Sequence, residues 1–189
     1  MNKKSRILVV IGIILITISL GLTLYNIHIN NIAGEKSQNI YQKLQKEITD
    51  SLAQANPKDM KTITIDGYEY IGTIEIPTLN LKLPIMNDWD NNKMKISPCR
   101  YYGSIYTNDL VLCSHSYDNL FGNIEKLSPN DKVIITDIDN NKYIYEVKII
   151  EVLSPNDIEE MIESEFDLTL YTCTKDNLNR VTVRLNKIK

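Results

Sequence analysis

The chain has 189 residues, 43% of them hydrophobic and 24% charged, with 21 Lys and Arg against 24 Asp and Glu and a formal net charge of −3. This is ordinary globular composition with an acidic balance, which argues against a nucleic-acid partner. No G-x-x-x-x-G-K-[ST], G-x-G-x-x-G or H-E-x-x-H motif is present, and with only His28 and His115 in the chain a histidine-rich metal site is excluded; neither a metal nor a cofactor is expected.

Residues 1 to 6 contain Lys3, Lys4 and Arg6, and residues 7 to 25, ILVVIGIILITISLGLTLY, carry no charge. About twenty apolar residues suffice for a helix to cross the hydrocarbon core. A basic flank prefers the cytoplasm, which predicts a single-pass membrane protein with its amino terminus inside and the remainder extracellular. With those three cations set aside, eighteen Lys and Arg face 24 acids, about −6. A cleaved signal peptide is the competing reading. The run is longer than a usual signal core and no A-x-A-like site follows it, which favours an uncleaved anchor.

Residues 26 to 61 read as a helical stalk. Ile40, Leu44, Ile48 and Leu52 recur every four residues among polar neighbours, and Asn56-Pro57 should stop the helix. Light packing of this stalk on the following domain is expected, with a partner-binding helix as the other reading. From 62 to 189 the text changes to short runs rich in Ile, Val, Tyr and Thr, bounded by Asn, Asp, Pro and Gly. Strands are predicted at 70 to 76, 82 to 86, 103 to 106, 109 to 115, 132 to 137, 142 to 152, 167 to 173 and 180 to 186. Short helices are predicted from Leu120 to Leu127 and from Asp157 to Glu163. Eight short strands with little helix predict a mostly β domain closed, or nearly closed, into a barrel, because closure removes exposed edges. The acidic pairs Asp137/Asp139 and Glu159/Glu160 read as solvated turns.

The stretch FDLTLYTCTKDNLNRVTVRL, 166 to 185, reads as a hairpin with its turn at Asp176-Asn177. In the register whose partners sum to 353, Leu168/Leu185, Leu170/Val183 and Thr172/Val181 share a mainly apolar face. Thr169/Arg184, Tyr171/Thr182 and Cys173/Arg180 share the other. A slip of one residue would set apolar against polar throughout. The register puts Arg180 opposite Cys173, where a guanidinium favours a thiolate and can hold charge developing on a carbonyl oxygen; Arg184 is four residues further along. An ordinary cross-strand pair would look the same in sequence.

Three cysteines are an odd number for an extracellular domain, so at least one thiol is unpaired; buried small hydrophobes are the plainer reading. His115, in DLVLCSHSYDNLFG, stands where a strand gives way to a polar loop and is the one acid/base near pH 7 in the domain. Cys113 diverges from His115 along its strand, and Arg100 beside Cys99 should point elsewhere.

These residues resemble the sortases, membrane-anchored cysteine transpeptidases of Gram-positive bacteria. That family's T-L-x-T-C strand is matched by Thr169, Leu170, Tyr171, Thr172 and Cys173, its earlier strand-end histidine by His115, and its arginine on the following strand by Arg180. The resemblance covers roughly Tyr70 to Arg184. The compact size, NLFGNIEKL and TCTKDNLNRVTVR look most similar to class D; Ser114 stands where many relatives carry glycine. Residues 35 to 69 hold no Asp-Pro-aromatic motif, and Asp88-Trp89 lies too late and lacks the proline. The resemblance implies an eight-stranded sortase-like β-barrel over residues 62 to 189, with Cys173 as nucleophile, His115 as acid/base and Arg180 at the oxyanion. It further implies Tyr171, Thr172 and Ser114 as substrate-binding residues, and a groove along 153 to 167. The implied substrates are an LPxTG-like sorting peptide, cut between Thr and Gly, and the amino group of a cell-wall peptidoglycan precursor. A non-catalytic, membrane-tethered barrel that binds a cell-wall component is the alternative.

Overall fold

The computed structural model describes residues 3–50 and 60–188, with side chains described for 10–46 and 60–188. Helix α1 runs over Lys3–Asp50. A window within Val10–Lys46 is long and apolar enough to cross a membrane, with mean hydropathy 2.1, and Val10, Ile13, Leu20 and Leu24 are exposed. The chain divides after Ile32 into this helical unit and a compact unit that begins at Ala33, inside the expected stalk.

Within the compact unit the period-four stripe is used for packing. Ile40 and Leu44 are 4% and 0% exposed and join a hydrophobic layer with Ile65, Tyr70 and Met86. Gln38 Nε2 donates to Lys82 O at 2.9 Å, and Lys43 pairs with Asp66 at 2.6 Å. Leu52 and the Asn56-Pro57 stop lie outside the described residues, as does the side chain of Ile48.

Nine strands follow: β1 Ile63–Ile65, β2 Tyr68–Ile76, β3 Leu81–Met86, β4 Cys99–Tyr102, β5 Leu110–Cys113, β6 Lys132–Asp137, β7 Lys142–Leu153, β8 Leu168–Cys173 and β9 Arg180–Lys187. Eight of them close a ring in the order β2-β3-β4-β5-β8-β9-β7-β6, with β6 returning to β2. The fold is therefore the expected mostly-β, eight-stranded barrel, and β1 is an added flap on β2. Closure requires bare backbone at Gly72, which pairs with both Ile85 and Asp137. At its φ of +148° a Cβ would lie 2.1 Å from Thr136 O.

Three local readings are corrected. The strand expected at 103 to 106 lies at Cys99–Tyr102 instead. Gly103, at φ +69°, ends it, and the carboxylate of Asp109 takes Ser104 N–H at 2.9 Å, holding 103 to 108 as a turn. The helix expected from Leu120 to Leu127 is a set of turns with a single 3₁₀ turn at Ile124–Lys126. Its buried Leu120, Phe121, Ile124 and Leu127 supply the periodicity. Yet Leu120 N and Gly122 N both turn back to Tyr117 O at 2.9 Å. The missed β1 forms a hairpin with β2 through Asp66-Gly67, both at positive φ as a tight two-residue turn requires. The second helix forms as α2, Ile158–Ile162.

Alternation sorts each strand between two layers. Leu110 and Leu112 of β5 and Leu168 and Leu170 of β8 enter the barrel core, while Val111, Cys113 and Tyr171 face outward into the layer that contains Ile40 and Leu44.

Candidate active site

The β8–β9 hairpin adopts the expected register, from Leu168 opposite Leu185 to Cys173 opposite Arg180. Its connection is longer than a tight turn, and local polar groups fix it. Thr174 N donates to Asn179 O at 2.9 Å, and the Asp176 carboxylate accepts from Thr174 Oγ1 and, at 3.0 Å, from Leu178 N. These bonds hold the Asp176 carboxyl below the usual carboxylate range, the Thr174 bond contributing most. Asn177 takes positive φ. Cys173 is partly exposed, and Arg180 is anchored by Nη1 donating to Asn179 O at 3.1 Å, which leaves most of its fork free.

His115 arrives from β5 by a pairing the sequence did not reveal. Strands β5 and β8 are parallel, with Cys113 opposite Tyr171. His115 and Cys173 each lie two residues beyond that last pair. Two hydrogen bonds extend the pairing past the strand: Ser114 N donates to Tyr171 O at 3.3 Å, and Thr172 Oγ1 donates to Ser114 O at 2.8 Å. His115 N donates to Met94 O at 3.0 Å. The imidazole stacks on Tyr117 with centroids 4.2 Å apart, and its Nδ1 accepts Ser116 N–H at 2.8 Å. That bond assigns the proton of the neutral ring to Nε2. Partial burial, then the charge of Lys95, lowers the histidine pKa from its ordinary value.

A groove of about 280 Å³ opens over this hairpin. Tyr101, Tyr171, Cys173 and Arg180 line it together with Trp89, Asn91 and Met94 from the β3–β4 connection. Ser154, Pro155, Asp157, Ile158 and Met161 of the β7–β8 connection line it as well, which is the expected segment. Tyr101 meets Tyr171 edge to face at 5.4 Å and Trp89 at 5.3 Å. Trp89, 44% exposed, was not singled out by sequence reasoning as a groove residue. A lone tryptophan in the polar loop NDWDNN is the signal that was available.

Of the three residues assigned to substrate contact, Tyr171 lines the groove, whereas Ser114 and Thr172 are 0% and 2% exposed and bond to each other beneath it. Cys99 and Cys113 are buried and face each other across β4 and β5. Burial pushes the Cys113 thiol up to about 12 and the Cys99 thiol higher still, so neither forms a thiolate near neutral pH. Arg184 is not among the residues that line the groove; Glu151 and Thr169 hold it. Among the described residues, no three His, Cys, Asp or Glu side chains converge to hold a metal ion.

The arrangement joins a partly exposed thiol and a guanidinium with free donors in an apolar groove, with an imidazole on the segment that continues the strand paired to the cysteine strand. Such a set can add sulfur to a carbonyl, stabilise the oxyanion and move a proton. The Sortase domain family model matches residues 74–187. The chain is 26% identical over 201 residues to sortase A of Bacillus anthracis, covering 96% of this chain and 94% of that one. It resembles the structure of a Clostridium perfringens sortase D5 transpeptidase at TM-score 0.59 and 19% identity, covering 84% and 99% of the two chains. It also resembles Clostridium perfringens sortase C solved with the C-terminal cell-wall sorting motif, at TM-score 0.57 and 24% identity, covering 90% and 99%.

Proposed function

The chain belongs to the sortase family of cysteine transpeptidases, and on that premise we propose that it cleaves an LPxTG-like sorting peptide between Thr and Gly and passes the acyl group to a cell-wall amine. The observation that carries this reading is the hairpin register that sets Cys173 and Arg180 side by side in one groove, with β5 paired to the cysteine strand. The antiparallel hairpin sets Arg180 against Cys173 in the groove, and the parallel β5–β8 pair runs its next residues, Ser114 and His115, alongside the cysteine strand.

In this mechanism Cys173 gives its proton to His115 at Nδ1, the basic nitrogen of the neutral ring, which releases the Ser116 N–H bond as it does so, and the thiolate sulfur bonds to the threonine carbonyl carbon. Free N–H groups of Arg180 take the oxyanion. The tetrahedral species collapses by breaking the C–N bond to glycine, and imidazolium His115 protonates the departing amine. The acceptor amine then attacks the thioester, His115 removes its proton, and the sulfur leaves as a thiolate that takes this proton back from His115 to regenerate the thiol. Tyr171 lines the bound peptide's path. Ser114 and Thr172 act beneath it by tying the histidine segment to the cysteine strand.

In topology, residues 1 to 6 are cytoplasmic, 7 to 25 span the membrane as an uncleaved anchor and the rest is extracellular. Class D is the assignment favoured by NLFGNIEKL and TCTKDNLNRVTVR. The test is incubation of the full chain with an LPxTG-type peptide and detection of the thioacyl adduct by mass. Adduct formation undiminished in Cys173→Ala would remove Cys173 as the nucleophile. Arg180→Ala should lower turnover by about 10²–10³, the usual worth of an oxyanion donor.

A further inference from the structure

Arg184 lies outside the proposed reaction, yet it is one of the most completely bonded side chains in the domain. It is 3% exposed on the outer face of the sheet, opposite Thr169 of β8 and Ile149 of β7. Its Nε donates to Glu151 Oε1 at 2.8 Å and its Nη1 to Thr169 Oγ1 at 3.0 Å. The same Nη1 donates to Met161 O at 3.3 Å, and Nη2 donates to Glu160 O at 2.6 Å. One guanidinium thus fastens two strands to α2, the short helix of the β7–β8 connection.

The two carbonyls explain why α2 needs this partner. A helix of five residues satisfies few of its own acceptors, and the last carbonyls of any helix lack intrahelical donors. Met161 N bonds to Asp157 O at 3.1 Å and Glu163 N to Glu159 O at 2.6 Å. Glu160 O and Met161 O receive Arg184, a cation at the end of the helix where the macrodipole is negative. The other end is tied by the Asp157 carboxylate accepting Ser154 N–H at 2.8 Å. Between these ties, α2 presents Ile158 and Met161 to the groove that holds Cys173, and Met161 packs in the same layer as Tyr171 and Leu153.

We infer that Arg184 is a positioning residue that keeps this apolar wall of the groove formed before substrate arrives, and so sets affinity for the apolar part of the sorting peptide rather than the rate of acyl transfer. The inference rests on the proposed peptide substrate for its kinetic consequence, but its structural consequence does not. Arginine is required because lysine supplies the charge without the fork that reaches two strands and two carbonyls at once.

The test uses the full chain in detergent micelles, with Arg184→Met and Arg184→Lys, and a fluorogenic LPxTG-type peptide. Arg184→Met should raise KM by about tenfold or more, as expected for loss of several charge-assisted bonds holding a binding surface, with kcat changed less than about threefold. Arg184→Lys should recover only part of the loss. Alkylation of Cys173 by iodoacetamide, a probe too small to need the wall, should keep its wild-type rate. A fall in kcat at constant KM, or an unchanged KM, overturns the inference. If Arg184→Met does not fold, Glu151→Gln with Thr169→Val loosens the same clamp, and an unchanged KM there overturns it equally. If the wild-type protein does not cleave the peptide, amide hydrogen exchange decides: exchange over residues 154 to 163 should quicken by about tenfold in the folded variant, and unchanged exchange overturns the clamp whatever the substrate is.

Discussion

Thr172→Val separates two accounts of the threonine that precedes Cys173. The substitution keeps the branched shape and deletes one hydroxyl, which donates to Ser114 O at 2.8 Å in a site where Thr172 is 2% and Ser114 0% exposed. The carbonyl left behind is buried without that partner, which costs about 1–3 kcal/mol. For a chain of this size that is a fall in Tm of about 3–10 °C. The bond is also one of two that continue the β5–β8 pairing beyond Cys113, the other being Ser114 N to Tyr171 O. Its loss should therefore loosen His115 relative to Cys173 and lower kcat, leaving KM for the peptide close to wild type. Differential scanning calorimetry and steady-state kinetics on the same preparation provide the check. A Tm unchanged within about 1 °C together with a raised KM would refute this reasoning and return Thr172 to direct contact with substrate.

Other perturbations probe the fold and the histidine. Leu44→Ala, at a fully buried position of α1, should cost about 2–5 kcal/mol, read as a lower unfolding midpoint in denaturant; a change under about 0.5 kcal/mol would mean that α1 does not pack as described. Gly72→Ala places a Cβ 2.1 Å from Thr136 O where β2 meets β6, so little folded protein should accumulate, and a wild-type yield and melting curve would contradict the closure argument. For His115 the direction is a lowered pKa, so its NMR titration midpoint should fall below the ordinary value of about 6.5. Between that value and the lowered one the unfolded chain binds more protons than the folded one, so this group's stabilising contribution is complete above about pH 6.5 and is lost as pH falls. His115→Asn should flatten the acid side of the stability profile, and a steeper loss in the variant would reverse the assignment.

The hairpin was legible because strand alternation is local. Leu168, Leu170, Val183 and Leu185 had one consistent inward register, and that register alone set Cys173 against Arg180. The strand misplaced at 103 to 106 shows where the same reasoning weakens. Tyr101, Tyr102 and Tyr106 are all strand-favouring, and the boundary depended on a positive φ at Gly103 and on the reach of the Asp109 carboxylate, neither of which alternation encodes. The Leu120 to Leu127 segment had a helical spacing of apolar residues, but those residues are buried by turns folding back on Tyr117 O. The Asp66-Gly67 turn that makes β1 was a readable hairpin signal that was passed over.

The parallel β5–β8 pairing is the part of the site that no local pattern contained, because it joins segments more than fifty residues apart without a hairpin. Yet that pairing is what sets the two cysteines of β5 and β8 in different surroundings. Cys113 and Cys173 are separated by one strand and two residues of register, and both face outward. Cys113 lies opposite Tyr171 in the same hydrophobic layer, and burial holds it as a thiol. Cys173 lies one step further along β8, past the tyrosine, where the strand emerges into the groove beside Arg180. A thiol two residues earlier on β8 would lie beneath the aromatic layer, and one two residues later would be in the Thr174–Asp176 turn, away from the arginine's partner position. The proposed catalytic role of Cys173 thus rests on where the sheet's outer face stops being covered, a tertiary boundary that Tyr171, Tyr101 and Met161 draw together.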